Sequence, residues 1–220
     1  MCIIVSKEKG QQLPTKATLK ECFERNSDGA GIMYVENGSV VIEKGLMTFE
    51  DFYRKLKDLK KHFGTDLTEK ALVMHFRIGT SGKNDKATTH PFPITSDKNQ
   101  LRATKTRTNL GMVHNGVISA YVGGDLSDTQ NYIKDFVSVL RELNKDFYKN
   151  KRVLEILRDT CKSKLCFLDN KEHIYYVGDF IKDKGIMYSN SSYKPYEYSK
   201  YLWGYTYGHE RYYWGYKKGD

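Results

Sequence analysis

The stretch LGMVHNG at residues 110–116 reads as a short buried strand that delivers an Asn-Gly pair, Asn115 and Gly116, to one defined point. Both residues of such a pair tolerate positive φ, so the same pair also closes ordinary tight turns. Its company in the chain sets it apart. Cys2 follows Met1 directly, His75-Phe76-Arg77 ends an apolar run, and Ser127-Asp128-Thr129 stands just before an amphipathic stretch. Taken in this order, they read as parts of one site.

Working outward from residues 110–116, the chain alternates strand-like and helix-like patterns. Ile3, Ile4 and Val5 form a terminal apolar run suited to a buried strand. A short helix is expected over 18–24, and Asn37-Gly38 turns a hairpin between strands at 29–35 and 40–44. From Thr48 the period changes: Phe49, Phe52, Tyr53, Leu56, Leu59 and Phe63 fall on one helical face, with Thr48 and Asp51 as an amino-terminal cap. Residues 71–77 return to a strand, and 83–109 read as a long, basic connection with little apolar periodicity. Beyond 110–116, Ser127 or Asp128 caps a helix whose apolar positions are Tyr132, Ile133, Phe136, Val137, Leu140, Leu143 and Phe147. A second short helix is expected at 153–157, a hairpin at 165–168 and 173–177, and a last strand at 186–189. The class is α+β with mostly antiparallel pairing. After about residue 193 the composition shifts to Tyr, Trp and Gly, with two Trp-Gly-Tyr triplets.

At 220 residues the chain is long enough to bury a sizeable core and is expected to form one domain, residues 1–192, followed by an aromatic-rich extension, 193–220. It has no apolar run of membrane-spanning length, and its start lacks the basic-then-apolar pattern of a signal peptide. The expected location is therefore cytoplasmic, with no membrane partner. Its four cysteines, Cys2, Cys22, Cys161 and Cys166, show no zinc-site spacing, and free thiols are expected. No metal or other cofactor is expected. The formal charge is +9, but the basic residues are spread among acids, as on a solvated surface. Nucleic acid is accordingly not the expected partner, although the aromatic tail could stack on bases, sugars or protein.

The chemistry starts from position 2. Removal of the initiator Met would leave Cys2 with a free α-amine, which titrates near pH 7.7–8 and so suits a base for its own thiol. One residue would then supply both nucleophile and base; the alternative is a cysteine simply buried in the first strand. Acyl transfer also needs donors for an oxyanion, which an Asn amide and a Gly backbone N–H can supply together. Asn115 and Gly116 meet that need, or else form a turn. Arg77 could fork onto a carboxylate, or reach solvent from a strand end. Asp128 could hold an ammonium group, or cap its helix. His75, His90 and His114 form no metal spacing and read as hydrogen-bonding core or loop residues.

Six segments carry a family resemblance. They are Cys2, Asp28-Gly29-Ala30-Gly31-Ile32, the run from His75-Phe76-Arg77 through Ile78-Gly79-Thr80-Ser81-Gly82, Thr89-His90-Pro91-Phe92, His114-Asn115-Gly116-Val117-Ile118, and Ser127-Asp128-Thr129. In this order they resemble the glutaminase domain of class II glutamine amidotransferases, which are N-terminal-nucleophile hydrolases. The resemblance implies a four-layer αββα sandwich and hydrolysis of glutamine through a γ-glutamyl thioester. It makes Cys2 the nucleophile, its amine the base, and Asn115 with Gly116 the oxyanion hole. Arg77 would bind the substrate α-carboxylate and Asp128 the α-ammonium, and Thr80 would line the pocket. Ile78 and Ser81 depart from the usual pattern of the arginine motif, and Gln130 stands where an acid is usual. The family carries an acceptor or synthase domain after the glutaminase, whereas only the Tyr/Trp tail follows here. A stand-alone glutaminase, or the ammonia-supplying partner of a separate synthase or acceptor protein, is therefore expected. The alternatives are an amidohydrolase for another amide and a non-catalytic interaction module that keeps the fold.

Overall fold

A computed structural model of the chain describes residues 2–64, 67–79 and 85–195. The expected pocket residue Thr80, and the extension from residue 196 with its Trp-Gly-Tyr triplets, lie outside the described residues. The fold is mixed α+β, with helices packed on two antiparallel sheets. The larger sheet has the order β10-β11-β1-β4-β2-β3-β6. It is built from β1 (Ile3–Lys7), β2 (Ala30–Glu36), β3 (Ser39–Leu46), β4 (Leu72–Phe76), β6 (Lys105–Thr108), β10 (Ile181–Asp183) and β11 (Ile186–Tyr188). The smaller has the order β5-β7-β8-β9, from β5 (Phe92–Pro93), β7 (Leu110–Asn115), β8 (Lys164–Asp169) and β9 (Ile174–Val177).

Strands β1, β4 and β7 are buried along their whole length, because both of their faces are covered and successive side chains point opposite ways. Ile3 and Val5 join Leu72, Met74 and Phe76 in a core beneath α1 (Lys16–Glu24) and α2 (Phe49–Phe63). Ile4, Met33, Val40, Val73, Val113 and Cys166 fill a second core, to which both sheets contribute. Met112, Leu165 and Phe167 pack in a third with Tyr132, Ile133 and Leu157 from the carboxy-terminal helices. Gly111 permits the close approach of the sheets, since a Cβ there would lie 2.6 Å from Met33 Sδ.

The strongest sequence signals become the best-built helix. Thr48 Oγ1 accepts the Asp51 amide proton at 3.1 Å, Glu50 and Asp51 sit in the first turn of α2, and Lys60, Lys61 and His62 in the last. These charges oppose the helix dipole. Phe49, Phe52, Leu56 and Leu59 are buried, and the Phe52 ring meets Phe76 of β4 edge-on at 4.8 Å. Full burial of each such side chain contributes about 1.5–3 kcal/mol.

Two expectations require correction. The supposed connection at 83–109 holds, in its described part, a 3-10 turn at Lys86–Thr88, β5, α3 (Lys98–Arg102) and β6. Isolated residues rather than a periodic run anchor it: Phe92, Ile94 and Leu101 are all buried. The single helix expected from 128 to 147 is α4 (Asp128–Tyr132), a π-helical segment at Ile133–Val137, and α5 (Ser138–Leu143). The wider π turn moves the apolar stripe out of register, leaving Leu143 81% exposed. Phe147 is buried from a separate 3-10 turn, Phe147–Lys149. The following helix, α6 (Lys151–Cys161), is longer than expected, and β10 carried no signal of its own.

Candidate active site

Strand β1 lies inside the larger sheet between β11 and β4, so the start of the chain is fixed on both sides. The register pairs Ile3 with Phe76, which places Cys2 and Arg77 next to each other at the same end of the two strands. Cys2 Sγ contacts both the amide nitrogen and the carbonyl oxygen of Ile78 at 3.4 Å. Asn190 Nδ2 donates to the Cys2 carbonyl at 2.7 Å. Burial pushes the Cys2 thiol pKa up, against the Ile78 amide and the positive charge of Arg77. At neutral pH the group is therefore a thiol, and using it as a nucleophile requires a nearby base.

Arg77 does not reach solvent: it is 4% exposed. The Asp28-Gly29 loop holds its backbone, Asp28 N donating to Arg77 O at 2.9 Å and Arg77 N to Gly29 O at 2.8 Å. Asp28 Oδ2 accepts the Gly79 amide at 2.6 Å. A Cβ at Gly79 would lie 3.2 Å from Arg77 Nη1 and 3.4 Å from Asp28 Oδ2, so the guanidinium and carboxylate flank one narrow place.

Asp128 is not the helix cap. Ser127 is the cap of α4, with Gln130 N donating to its Oγ at 3.3 Å and Ser127 N to Gln130 Oε1 at 2.9 Å. Asp128, buried beside it, accepts the Ile118 amide on Oδ2 at 2.7 Å and so ties α4 to the loop after Gly116. Gln130, where the family usually has an acid, is thus a structural residue. Its Nε2 donates to Ala87 O at 3.2 Å and Leu101 O at 3.0 Å, the two carbonyls that also accept from the buried Lys44 Nζ. The Ser-x-x-Gln spacing was a legible signal for this capping box, whereas Lys44 carried none.

Asn115 ends β7, and its amide lies 2.7 Å from Ser189 Oγ. Gly116 follows with φ +157°, and a Cβ on it would meet Ser163 Oγ at 2.9 Å and His114 Nε2 at 3.1 Å. The site thus requires glycine twice over, for its backbone and for its space.

Three histidines line up behind these residues. The His75 and His90 ring centroids are 4.2 Å apart, and those of His90 and His114 6.4 Å. His75 Nε2 donates to His114 O at 2.9 Å, since a carbonyl can only accept. Ser163 gives its hydroxyl proton to Cys161 O, so it accepts from His114 Nε2 at 2.6 Å. His114 Nδ1 is then left to accept from Thr129 Oγ1 at 2.8 Å. Burial lowers the pKa of His75 to about 3 and of His114 to about 4, and pushes that of His90 down as well. All three are neutral at pH 7 and offer the site polarity without charge. Neither ring nitrogen of His90 has a partner among the described residues.

Cys2, Arg77, His90, His114, Gly116 and Asp128 line one cavity of about 20 Å³, room for roughly a single water. An amino acid is larger, so its entry displaces part of the wall. Asn115 is not among the residues that line the cavity, although its neighbours His114 and Gly116 are. A larger groove, about 610 Å³, lies elsewhere between Thr95, Asn109, Arg141, Lys145 and Tyr148, with no cysteine among the residues that line it. Sequence reasoning missed Ser189 and Asn190, which hold Asn115 and Cys2. Among the described residues no cluster of three or more His, Cys, Asp or Glu is placed to hold a metal ion, and no helix is long and apolar enough to cross a membrane. The four cysteines are unpaired.

Comparison with known proteins found no match to any family model, and none to a curated sequence.

Proposed function

We propose that the protein is an N-terminal-nucleophile hydrolase of the glutaminase type, with the four-layer αββα sandwich of that superfamily, acting in the cytoplasm on the side-chain amide of glutamine. The observation that carries this reading is the convergence of Cys2, Arg77, Gly116 and Asp128, from four separate parts of the chain, on one cavity. The packing supports it too: helices, two sheets and further helices enclose three successive cores.

In this mechanism Met1 is removed and the α-amine of Cys2 takes the thiol proton. The thiolate attacks the amide carbon, and the oxygen, now an anion, accepts from Gly116 N–H and the Asn115 amide. The protonated amine returns its proton to the leaving nitrogen, and the C–N bond breaks to give ammonia and a γ-glutamyl thioester. Water, deprotonated by the same amine, then releases glutamate and restores the thiol. Arg77 holds the substrate carboxylate and Asp128 its ammonium. Ammonia leaves to water or to a synthase partner.

The test is release of glutamate and ammonia from glutamine by the wild type and by Cys2→Ala, beside a panel of asparagine, γ-glutamyl amides and short peptides. Glutamine turnover that vanishes in Cys2→Ala supports the reading. Turnover that survives the substitution, or a wild type that hydrolyses only another amide, refutes it.

A further inference from the structure

We propose that Ser189 is a positioning residue that turns the Asn115 side chain so that its nitrogen, not its oxygen, serves the oxyanion; this rests on the glutaminase reading above. Ser189 lies just past β11, fully buried. Its own backbone is fixed on both sides, Ser189 N donating to Ile4 O at 3.0 Å and Lys164 Nζ to Ser189 O at 2.5 Å. The hydroxyl therefore occupies a set position between the strand that carries the nucleophile and the strand that ends in Asn115.

The hydrogen-bond count at that hydroxyl decides the amide orientation. A serine oxygen has one hydrogen and two lone pairs. Ile4 N donates to one lone pair at 2.9 Å. With Asn115 Nδ2 toward Ser189, the amide fills the second lone pair at 2.7 Å. Asn115 Oδ1 is then buried without a partner, and the Ser189 hydrogen has no acceptor among the described residues. Rotating the amide by half a turn leaves the heavy atoms in place and gives both the Ser189 hydrogen and Oδ1 a partner, because Ser189 O–H then donates to Oδ1, and the group left unpartnered becomes the Nδ2 amide. Nδ2 now stands at the buried place that had no partner, with both hydrogens unused. A donor without an acceptor in the resting protein is what a developing oxyanion needs.

The residue acts through Asn115, so a double-mutant cycle tests it. Ser189→Ala should lower kcat for glutamine about 10- to 100-fold, less than the roughly 100- to 1,000-fold expected for losing the donor itself, with KM unchanged. In an Asn115→Ala background the same substitution should cost nothing further, because the two residues work as one unit. Ser189→Thr and Ser189→Val give a size-matched pair that separates hydroxyl loss from misfolding. The threonine variant should recover activity that the valine variant does not. Equal losses in both backgrounds, a rise in KM at constant kcat, or equal impairment of the Thr and Val variants would overturn the assignment while leaving the glutaminase reading intact. A folded wild type without glutamine turnover would overturn the reading itself, and the assignment with it.

Discussion

Replacing Gly116 by alanine probes the end of the 110–116 strand, where backbone and packing limits coincide. The added methyl carbon would sit 2.4 Å from Ser163 Cβ, 2.9 Å from Ser163 Oγ and 3.1 Å from His114 Nε2. Ser163 cannot swing away cheaply, because its hydroxyl accepts from His114 and donates to Cys161 O. Overpacking of this kind costs about 1–3 kcal/mol, and a φ of +157° for a residue with a Cβ costs about 1–3 kcal/mol more. A central value of about 4 kcal/mol for the sum corresponds to a fall of about 12 °C in Tm for a chain of this size. Differential scanning calorimetry measures it, and Gly123→Ala is the control. Gly123 has φ +140° but nothing within 4 Å of its Cβ position, so it should lose only the backbone part, about 1–3 kcal/mol. Displacing the Gly116 N–H should also cut kcat by about 100- to 1,000-fold. A Gly116→Ala protein that melts with the wild type and turns over glutamine at the wild-type rate would refute the reasoning.

Stability should fall as the solution is acidified below about pH 6.5. An unfolded histidine takes up a proton there, whereas folded His114 waits until about pH 4 and folded His75 until about pH 3. The unfolded state binds the extra protons, so each buried ring removes about 1.4 kcal/mol per pH unit across that window. Urea midpoints at pH 7, 6 and 5 check this, and a midpoint that does not move would contradict it. Asp128→Asn keeps an oxygen for the Ile118 amide but removes the charge that would hold an ammonium. Steady-state kinetics should show KM for glutamine raised about 30-fold or more, with a smaller effect on kcat; an unchanged KM would remove Asp128 from substrate binding.

Much of the framework was legible because its signals are local. The Asn37-Gly38 hairpin, the capped α2 helix and the buried runs at β1, β4 and β7 each announce themselves within a few residues. The segment between β4 and β7 did not, since Phe92, Ile94 and Leu101 owe their burial to tertiary contacts rather than to a repeating pattern. The π segment at Ile133–Val137 was hidden for the opposite reason: the 3.6 period looked continuous across it. At the site, Cys2, Arg77, Gly116 and Asp128 were named from residue type and order, and the fold brings them to one cavity. Ser189 was invisible because it meets Asn115 across 74 residues and Ile4 across 185, and a lone serine after a short strand carries no pattern.

The most direct test of the central claim is the intact mass of the purified chain before and after treatment with a γ-diazoketone analogue of glutamine, with the modified peptide sequenced. The account predicts a chain lacking Met1 that gains one label, less dinitrogen, on the Cys2 peptide, and a Cys2→Ala chain that gains none. A chain that retains Met1, or that leaves Cys2 unmodified, would contradict it.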